Sequence, residues 1–548
     1  MKKYVLIAIL LLAAFFRFAQ IGSNPPSLTW DEVAWGYNAY SLGIDGKDEF
    51  GKHLPLTYFE SFGDFKPPVY AYLDVLPVKV FGLTEFAVRF PSALFGTATV
   101  LMTYFLVTAI FFQEKNKKKQ AKYYSENLAL VSAFILAISP WHIMLSRGAF
   151  EANVSTFFLV VGVWSFLEAI NRRKWFLILS AVSFVLAVYT FNTARIVGPL
   201  LVLGMTLIFW KQLWHMKKVV VTAAIVGFIV LLPTLSFLFS PQARLRFQEV
   251  NIFSDIKVIQ VINQEVANDH DAAWSKVIHN RRLAYAVAYL NHYLDNLSPE
   301  FLFTRGDPNP KFSLQTMGQM YLFELPFLLI GIFFLFRKRE GHWWIIPFWL
   351  LVGIIPAGAA RETPHALRIE TTLPTFQILV AYGLMQTFTA IRGTLWRVPL
   401  RKAFIVALSV IILFQMGYAI EEYVGHYPKV TADEWQYGYK ETVAYINHVE
   451  KGYDQIYLTR ELGRPYIYLL FYKQYNPNQF RKEVVIERDV FGFVNVQAFN
   501  KYIFDKKFIK NPARTLYIDI PRDVPKNAVI KDKIFTGPNS FIIYTLPV

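Results

Sequence analysis

Two adjacent carboxylates, Asp31 and Glu32, lie in Leu28-Thr29-Trp30-Asp31-Glu32-Val33-Ala34, just after an apolar segment and the breaker pair Pro25-Pro26. Trp30, Trp35 and Tyr37 surround them. Acids among aromatic rings at a bilayer surface are poor anchors and suit proton transfer. A plainer role fits the same residues: Asp31 capping a helix over 32–42 through backbone N–H groups.

Four further groups could serve the same chemistry. Lys66 precedes Pro67-Pro68, and each proline restricts the backbone before it, so Lys66 is held extended, either to bind a phosphate or to snorkel to headgroups. Arg147, Glu151 and Asn153 fall in a tight turn, where Arg147 and Glu151 could simply pair at a spacing of four. Arg195 lies between two apolar spans and needs water or a partner. In Arg361-Glu362-Thr363-Pro364-His365-Ala366-Leu367-Arg368, three basic groups cluster beside a span. His365 and Arg368 are three apart, and a helical turn after Pro364 would add N–H groups facing an anion. The alternative there is contact with membrane lipid headgroups.

These residues need a membrane scaffold, and the composition provides one. The 548 residues are 54% hydrophobic and 17% aromatic, well above a soluble globular chain. The net charge of +16 would fit a nucleic-acid partner, but the basic residues gather in short loops between apolar runs, so no nucleic acid is expected. With no cysteine, disulfides, thiolate catalysis and Cys-ligated zinc are excluded.

Apolar spans are expected near 4–21, 87–112, 127–145, 153–170, 175–191, 196–210, 219–239, 320–336, 343–359, 370–391 and 403–420. With the amino terminus inside, every basic cluster falls inside: Lys115, Lys117, Lys118, Lys119 and Lys122; Arg172, Arg173 and Lys174; Lys211, Lys217 and Lys218; Arg337, Lys338 and Arg339; Arg392, Arg397, Arg401 and Lys402. The outer side then receives 22–86, with an interfacial helix over 69–81, the turns at 146–152, 192–195 and 360–368, the loop 240–319 with a helix over 281–294, and everything after 421. The expected fold is an α-helical polytopic membrane protein of about eleven transmembrane helices over 1–420, with a small extracytoplasmic α/β domain over 421–548. In that domain a helix is expected over 435–450 and another over 465–472, with strands over 455–459, 515–520 and 540–546. A G-x-G-x-x-G turn is missing from it, which argues against nucleotide binding.

Pro26-Ser27-Leu28-Thr29-Trp30-Asp31-Glu32, Phe65-Lys66-Pro67-Pro68, Arg89-Phe90-Pro91-Ser92 and Pro364-His365-Ala366-Leu367-Arg368 resemble, in this order, bacterial relatives of the dolichyl-phosphate-mannose protein mannosyltransferases. These are membrane glycosyltransferases of the GT-C fold, a group that includes the lipid A aminoarabinose transferase. The resemblance covers roughly 1–420, while Trp435-Gln436-Tyr437-Gly438 resembles the tail of related bacterial members. It implies an inverting hexosyl- or pentosyltransferase at the outer face of the cytoplasmic membrane. The donor would be a polyprenyl-phosphate-linked sugar, and the acceptor a hydroxyl of a protein, lipid or glycan. Asp31 would be the base and Glu32 its support; Lys66 would bind the donor phosphate, joined by position and charge by Arg147, His365 and Arg368. Glu151, Asp64 and Arg195 remain candidates for a second acid or the acceptor site. A divalent metal is left open: in the aminoarabinose transferases an acid directly precedes the matching lysine, whereas here that position is Phe65 and Asp64 stands one residue earlier. A transporter or flippase of lipid-linked sugars is the alternative, and it would place ionisable groups near span centres.

Overall fold

The computed structural model describes residues 2–112, 119–240, 243, 251–254, 256–392, 397–489, 494–537 and 539–547. Lys115, Lys117 and Lys118 lie outside the described residues. The chain forms two compact units, and neither is one continuous stretch.

The first unit comprises Met1–Arg17, Phe95–Leu145 and Glu151–Ile420 and is helical. Its helices pack through small residues, as apolar helices must where side-chain burial gives no gain over lipid. Ser180 Oγ donates to Gly162 O at 2.8 Å, joining the helices Glu151–Asn171 and Phe176–Thr190. The helices Glu324–Lys338 and Thr375–Arg392 meet at two glycines: a Cβ on Gly331 would lie 2.0 Å from Leu379 O, and one on Gly383 1.9 Å from Phe327 O.

Helices occupy all eleven apolar stretches, but their lengths are uneven. Among the described residues, four are long and apolar enough to cross a membrane: Glu85–Ile110, Glu151–Asn171, Lys217–Phe237 and Val398–Val430. The stretch expected over 127–145 is broken at Ser139 into Tyr124–Ile138 and Pro140–Arg147, bent by 56°, and makes a fifth if it is one span. Phe176–Thr190 has 15 residues and is about 22 Å long, short of the roughly 30 Å hydrocarbon core. Arg17 is buried in the first helix, donating to Ala13 O, Leu136 O and Ala137 O and lying 2.6 Å from His142 Nδ1.

The second unit comprises Phe18–Leu94, Ser146–Phe150 and Glu421–Val548. The segment after 421 therefore shares its compact unit with the first loop. A seven-stranded sheet runs β4 (Val485–Arg488), β5 (Val494–Phe499), β6 (Tyr502–Ile503), β3 (Gln455–Leu458), β7 (Thr515–Asp519), β9 (Ser540–Thr545) and β8 (Val529–Phe535). β3 is parallel to β6 and β7, and the other pairs are antiparallel. The three expected strands form its middle, and the helix Pro465–Tyr472 lies where expected, with proline at its first turn. The edge strands β4 and β8 are exposed at nearly every position, so no in–out alternation marks them in the sequence. The helix expected over 435–450 begins at Tyr439, because Gly438 turns the chain at φ 100°.

Candidate active site

Helix Trp30–Asp45 carries both acids, and its start differs from the expected one. Thr29 is the cap: its hydroxyl accepts from Glu32 N at 3.3 Å, and Glu32 Oε2 accepts from Thr29 N at 2.8 Å. This reciprocal pair is a capping box. Asp31 is released from capping and points outward, its side chain 53% exposed. The helix packs tightly at Gly36, where a Cβ would lie 2.5 Å from Val88 Cγ2 and 2.6 Å from Phe471 Cε2.

A hairpin brings the cation to Asp31. β1 (Phe59–Ser61) pairs antiparallel with β2 (Asp64–Lys66) across Phe62-Gly63, both at positive φ, as a two-residue hairpin turn requires. Lys66, at the end of β2 and held by the prolines that follow, donates its Nζ to Asp31 Oδ1. The two partners are unequal: the Lys66 side chain is 5% exposed. Its ammonium lies 4.6 Å from the Phe62 ring centre and 5.1 Å from that of Trp35. The rings fix the cation, while the acid faces solvent. The buried cation needs an anionic partner, and because the Asp31 carboxylate can return to water, another anion can take its place.

Glu32 has a different environment. It is buried, receiving Arg89 Nε at 2.8 Å and Ala149 N at 2.9 Å on Oε1, and Arg89 Nη2 at 3.3 Å on Oε2. Arg89 is buried too and also donates to the carbonyls of Ile21, Pro25 and Ser27. Glu32 thus positions Asp31 and is closed to a substrate. Arg147, expected as a phosphate ligand, is buried, with Nη2 on Asn24 O at 2.8 Å and Nε on Tyr423 Oη at 3.0 Å. Its guanidinium ties the turn to the chain around residue 24. Asp64 lies in β2, its Oδ1 accepting from Phe65 N at 2.8 Å.

A further acid of this unit escaped the sequence reading. Glu49 is buried, accepting from Ser61 Oγ at 2.6 Å, Asn38 Nδ2 at 3.4 Å and Tyr466 Oη at 3.3 Å. Burial pushes its carboxyl up to about 8, against the lowering effect of the Ser61 and Asn38 hydrogen bonds. The folded state holds this proton where the unfolded chain has lost it, so stability present at low pH is lost as pH rises from about 4.5 to about 8. The slope reaches about 1.4 kcal/mol per pH unit. Glu49→Gln keeps an uncharged hydrogen-bonding group, and its thermal midpoint should fall less than that of the wild type over this range. Equal slopes in a fluorescence-monitored pH series would refute the assignment.

The remaining candidates belong to the first unit. Asp307 organises the 361–368 loop: its Oδ2 accepts from Ala366 N at 2.6 Å and lies 3.7 Å from His365 Nδ1. The N–H expected to face a phosphate thus holds the chain's own carboxylate, which burial raises to about 6. Burial, and then the charge of Arg368, depress His365 well below the ordinary imidazole range. His365 is therefore uncharged at neutral pH and supplies no cation, contrary to expectation. Arg368 turns back on its own loop, donating to Glu362 O at 3.0 Å and lying 3.4 Å from Glu362 Oε2. Glu151 begins the helix Glu151–Asn171 and acts electrostatically on the buried Glu370. Arg195 lies with its guanidinium 5.3 Å from the Phe237 ring centre.

Around Asp31, no group of three His, Asp or Glu side chains converges among the described residues. The one such group is Glu421, Glu422 and His426, and it does not include Asp64. Arg89, Asp307 and Glu49 are the groups that sequence reasoning did not assign to the site.

Residues 65–237 match the family model of the dolichyl-phosphate-mannose-protein mannosyltransferases, a stretch that begins beside Lys66 and includes Arg89, Arg147, Glu151 and Arg195. The chain's fold matches that of ArnT from Cupriavidus metallidurans in the apo state and bound to undecaprenyl phosphate. The TM-score is 0.53 in both, and the match covers 98% of this chain and 97% of ArnT, at 12% and 13% identity. The chain thus has the fold of ArnT and carries a segment similar to the dolichyl-phosphate-mannose-protein mannosyltransferases. Among curated sequences, the chain is 30% identical to an uncharacterized protein of Aquifex aeolicus (strain VF5) over 202 residues, 36% of each chain. It is 27% identical to the putative mannosyltransferase YkcB of Bacillus subtilis (strain 168) over 180 residues, 32% of this chain. The matches thus span only 36% and 22% of those two proteins' own lengths.

Proposed function

We propose that the protein is an inverting glycosyltransferase that moves a sugar from a polyprenyl-phosphate donor to an acceptor hydroxyl at the outer face of the cytoplasmic membrane. In this reading the chain crosses the membrane eleven times from an inside amino terminus, and the segment after 421 lies outside. The observation that carries it is the unequal Asp31–Lys66 pair: a solvent-facing carboxylate beside a cation fixed among aromatic rings. The undecaprenyl phosphate bound by ArnT supports a lipid phosphate as the donor's leaving group.

The pair supplies both halves of the reaction. When the donor arrives, its phosphate competes for the Lys66 ammonium, and Asp31 loses its neutralising partner and becomes the stronger base. Asp31 takes the acceptor hydroxyl proton as that oxygen bonds to the anomeric carbon. The bond from that carbon to the phosphate oxygen breaks, and its electron pair leaves with the lipid phosphate. Charge gathers on the phosphate in the transition state, where a fixed cation stabilises it without reorganisation. Glu32, held by Arg89 and Ala149, sets the direction of the helix start and so of Asp31.

Lys66→Ala should raise the donor concentration needed for half-maximal transfer by roughly tenfold or more, the effect of losing one charge-assisted contact of about 1.5–3 kcal/mol. Initial rates against a polyprenyl-phosphate sugar, extracted with and without acceptor-bearing membranes, would measure it. Unchanged donor dependence would assign Lys66 to headgroup contact.

A further inference from the structure

The second unit also holds a cleft of about 470 Å³ that none of these steps uses. Trp30, immediately before Asp31, lines it together with Gln436, Tyr439, Arg464 and Thr536. The wall is built for Trp30: Gly463 stands at φ 139°, and a Cβ there would lie 2.9 Å from Trp30 Cε3. Three of the lining residues carry polar atoms that are buried and make no hydrogen bond among the described residues: Gln436 Oε1, Tyr439 Oη and Thr536 Oγ1. Each such atom costs about 1–3 kcal/mol if it stays unpaired, so an occupant with polar groups that reaches them recovers part of that cost.

The chemistry of the lining selects that occupant. The Trp30 indole and the Tyr437 phenol offer apolar faces, while Tyr439, stacked on Tyr468 at 4.1 Å, contributes its hydroxyl edge, and amide, hydroxyl and carboxylate groups surround them. The lining carries Asp433, Glu434 and Glu461 against Arg460 and Arg464, so its charge balance does not favour an anion. Arg460 is already committed to Val496 O and Gln497 Oε1, and Glu461 to Arg522. A neutral ring with one C–H face and a rim of hydroxyls meets these features best, and the volume lies within the range of small-ligand pockets. The cleft also adjoins the ion pair: the Arg464 guanidinium lies 5.9 Å from the Phe62 ring centre, the ring on which Lys66 rests at 4.6 Å.

We propose that this cleft is a pyranose-binding subsite that holds a sugar ring beside Asp31. Its place in a reaction rests on the glycosyltransferase reading, but binding to it does not require turnover. The ring belongs either to the lipid donor or to the acceptor glycan.

The test uses the full chain purified in detergent and a panel of methyl gluco-, manno- and galactopyranosides, followed by saturation-transfer NMR and tryptophan fluorescence. At least one pyranoside should bind saturably, in the millimolar range. Gln436→Ala and Trp30→Ala should each weaken it about tenfold or more, with thermal midpoints checked to exclude misfolding. Asp31→Asn should leave this binding unchanged, so a failure of Asp31 as base and a failure of the cleft are read separately. Displacement by a polyprenyl-phosphate sugar but not by sugar-free undecaprenyl phosphate would assign the ring to the donor. Persistence in the presence of both would assign it to the acceptor. No saturable binding by any panel member, or binding by folded Gln436→Ala and Trp30→Ala equal to wild type, would overturn the proposal.

Discussion

Asp31→Asn should yield a folded protein that still binds lipid donor and has lost transfer by about 10²–10⁴-fold, the typical contribution of a positioned general base. The structure makes this substitution clean. The helix start is capped by Thr29 and Glu32, so the change removes no cap. The Asp31 side chain is half exposed, and the amide oxygen can still accept from the buried Lys66 ammonium, so the protein should remain folded. The amide has the same shape as the carboxylate and cannot accept the acceptor's proton. The measurement is single-turnover transfer from a polyprenyl-phosphate sugar beside a donor-binding assay. Wild-type turnover would remove Asp31 from the role of base and leave the Lys66 contact as a structural ion pair.

Part of this site was legible because its signals are local. Pro67-Pro68 announces a fixed Lys66, whereas the capping box in Thr29-Trp30-Asp31-Glu32, though equally local, was passed over for a cap at Asp31. Pro465 and the apolar run after it mark a helix in the same way. What stayed hidden depends on distance along the chain. Glu32 meets Arg89 across 57 positions, and Ala366 meets Asp307 across 59, and no periodicity reports such pairings. The basic residues of the 361–368 loop therefore looked like an anion site, whereas a buried carboxylate from another loop already occupies its N–H group. Burial is equally invisible: Glu49 reads as an ordinary loop acid between Asp48 and Phe50 until Ser61, Asn38 and Tyr466 close over it. The grouping of the first loop with the chain after 421 was also beyond reach, since composition divides a sequence only where it changes along the chain.

The largest stability effect should come from the Glu32–Arg89 pair. Both side chains are essentially inaccessible, at 1% and 0% exposure, so neither charge can return to water when its partner is lost. Arg89→Met strands the Glu32 carboxylate and releases three backbone carbonyls, at an expected cost of about 3–5 kcal/mol. Glu32→Gln should cost less, because its one amide oxygen can still accept from either Ala149 N or Thr29 N and Arg89 keeps its three backbone carbonyls. The double variant should recover part of the Arg89→Met loss, since no uncompensated charge remains, and the shortfall should reflect the three orphaned carbonyls. Thermal midpoints of the four proteins in one detergent complete the cycle. A strictly additive double variant would show that the two charges do not act on one another. If the pair instead serves chiefly to aim Asp31, Glu32→Gln should keep most of its stability yet lower turnover more than donor affinity, separating a positioning role from a purely structural one.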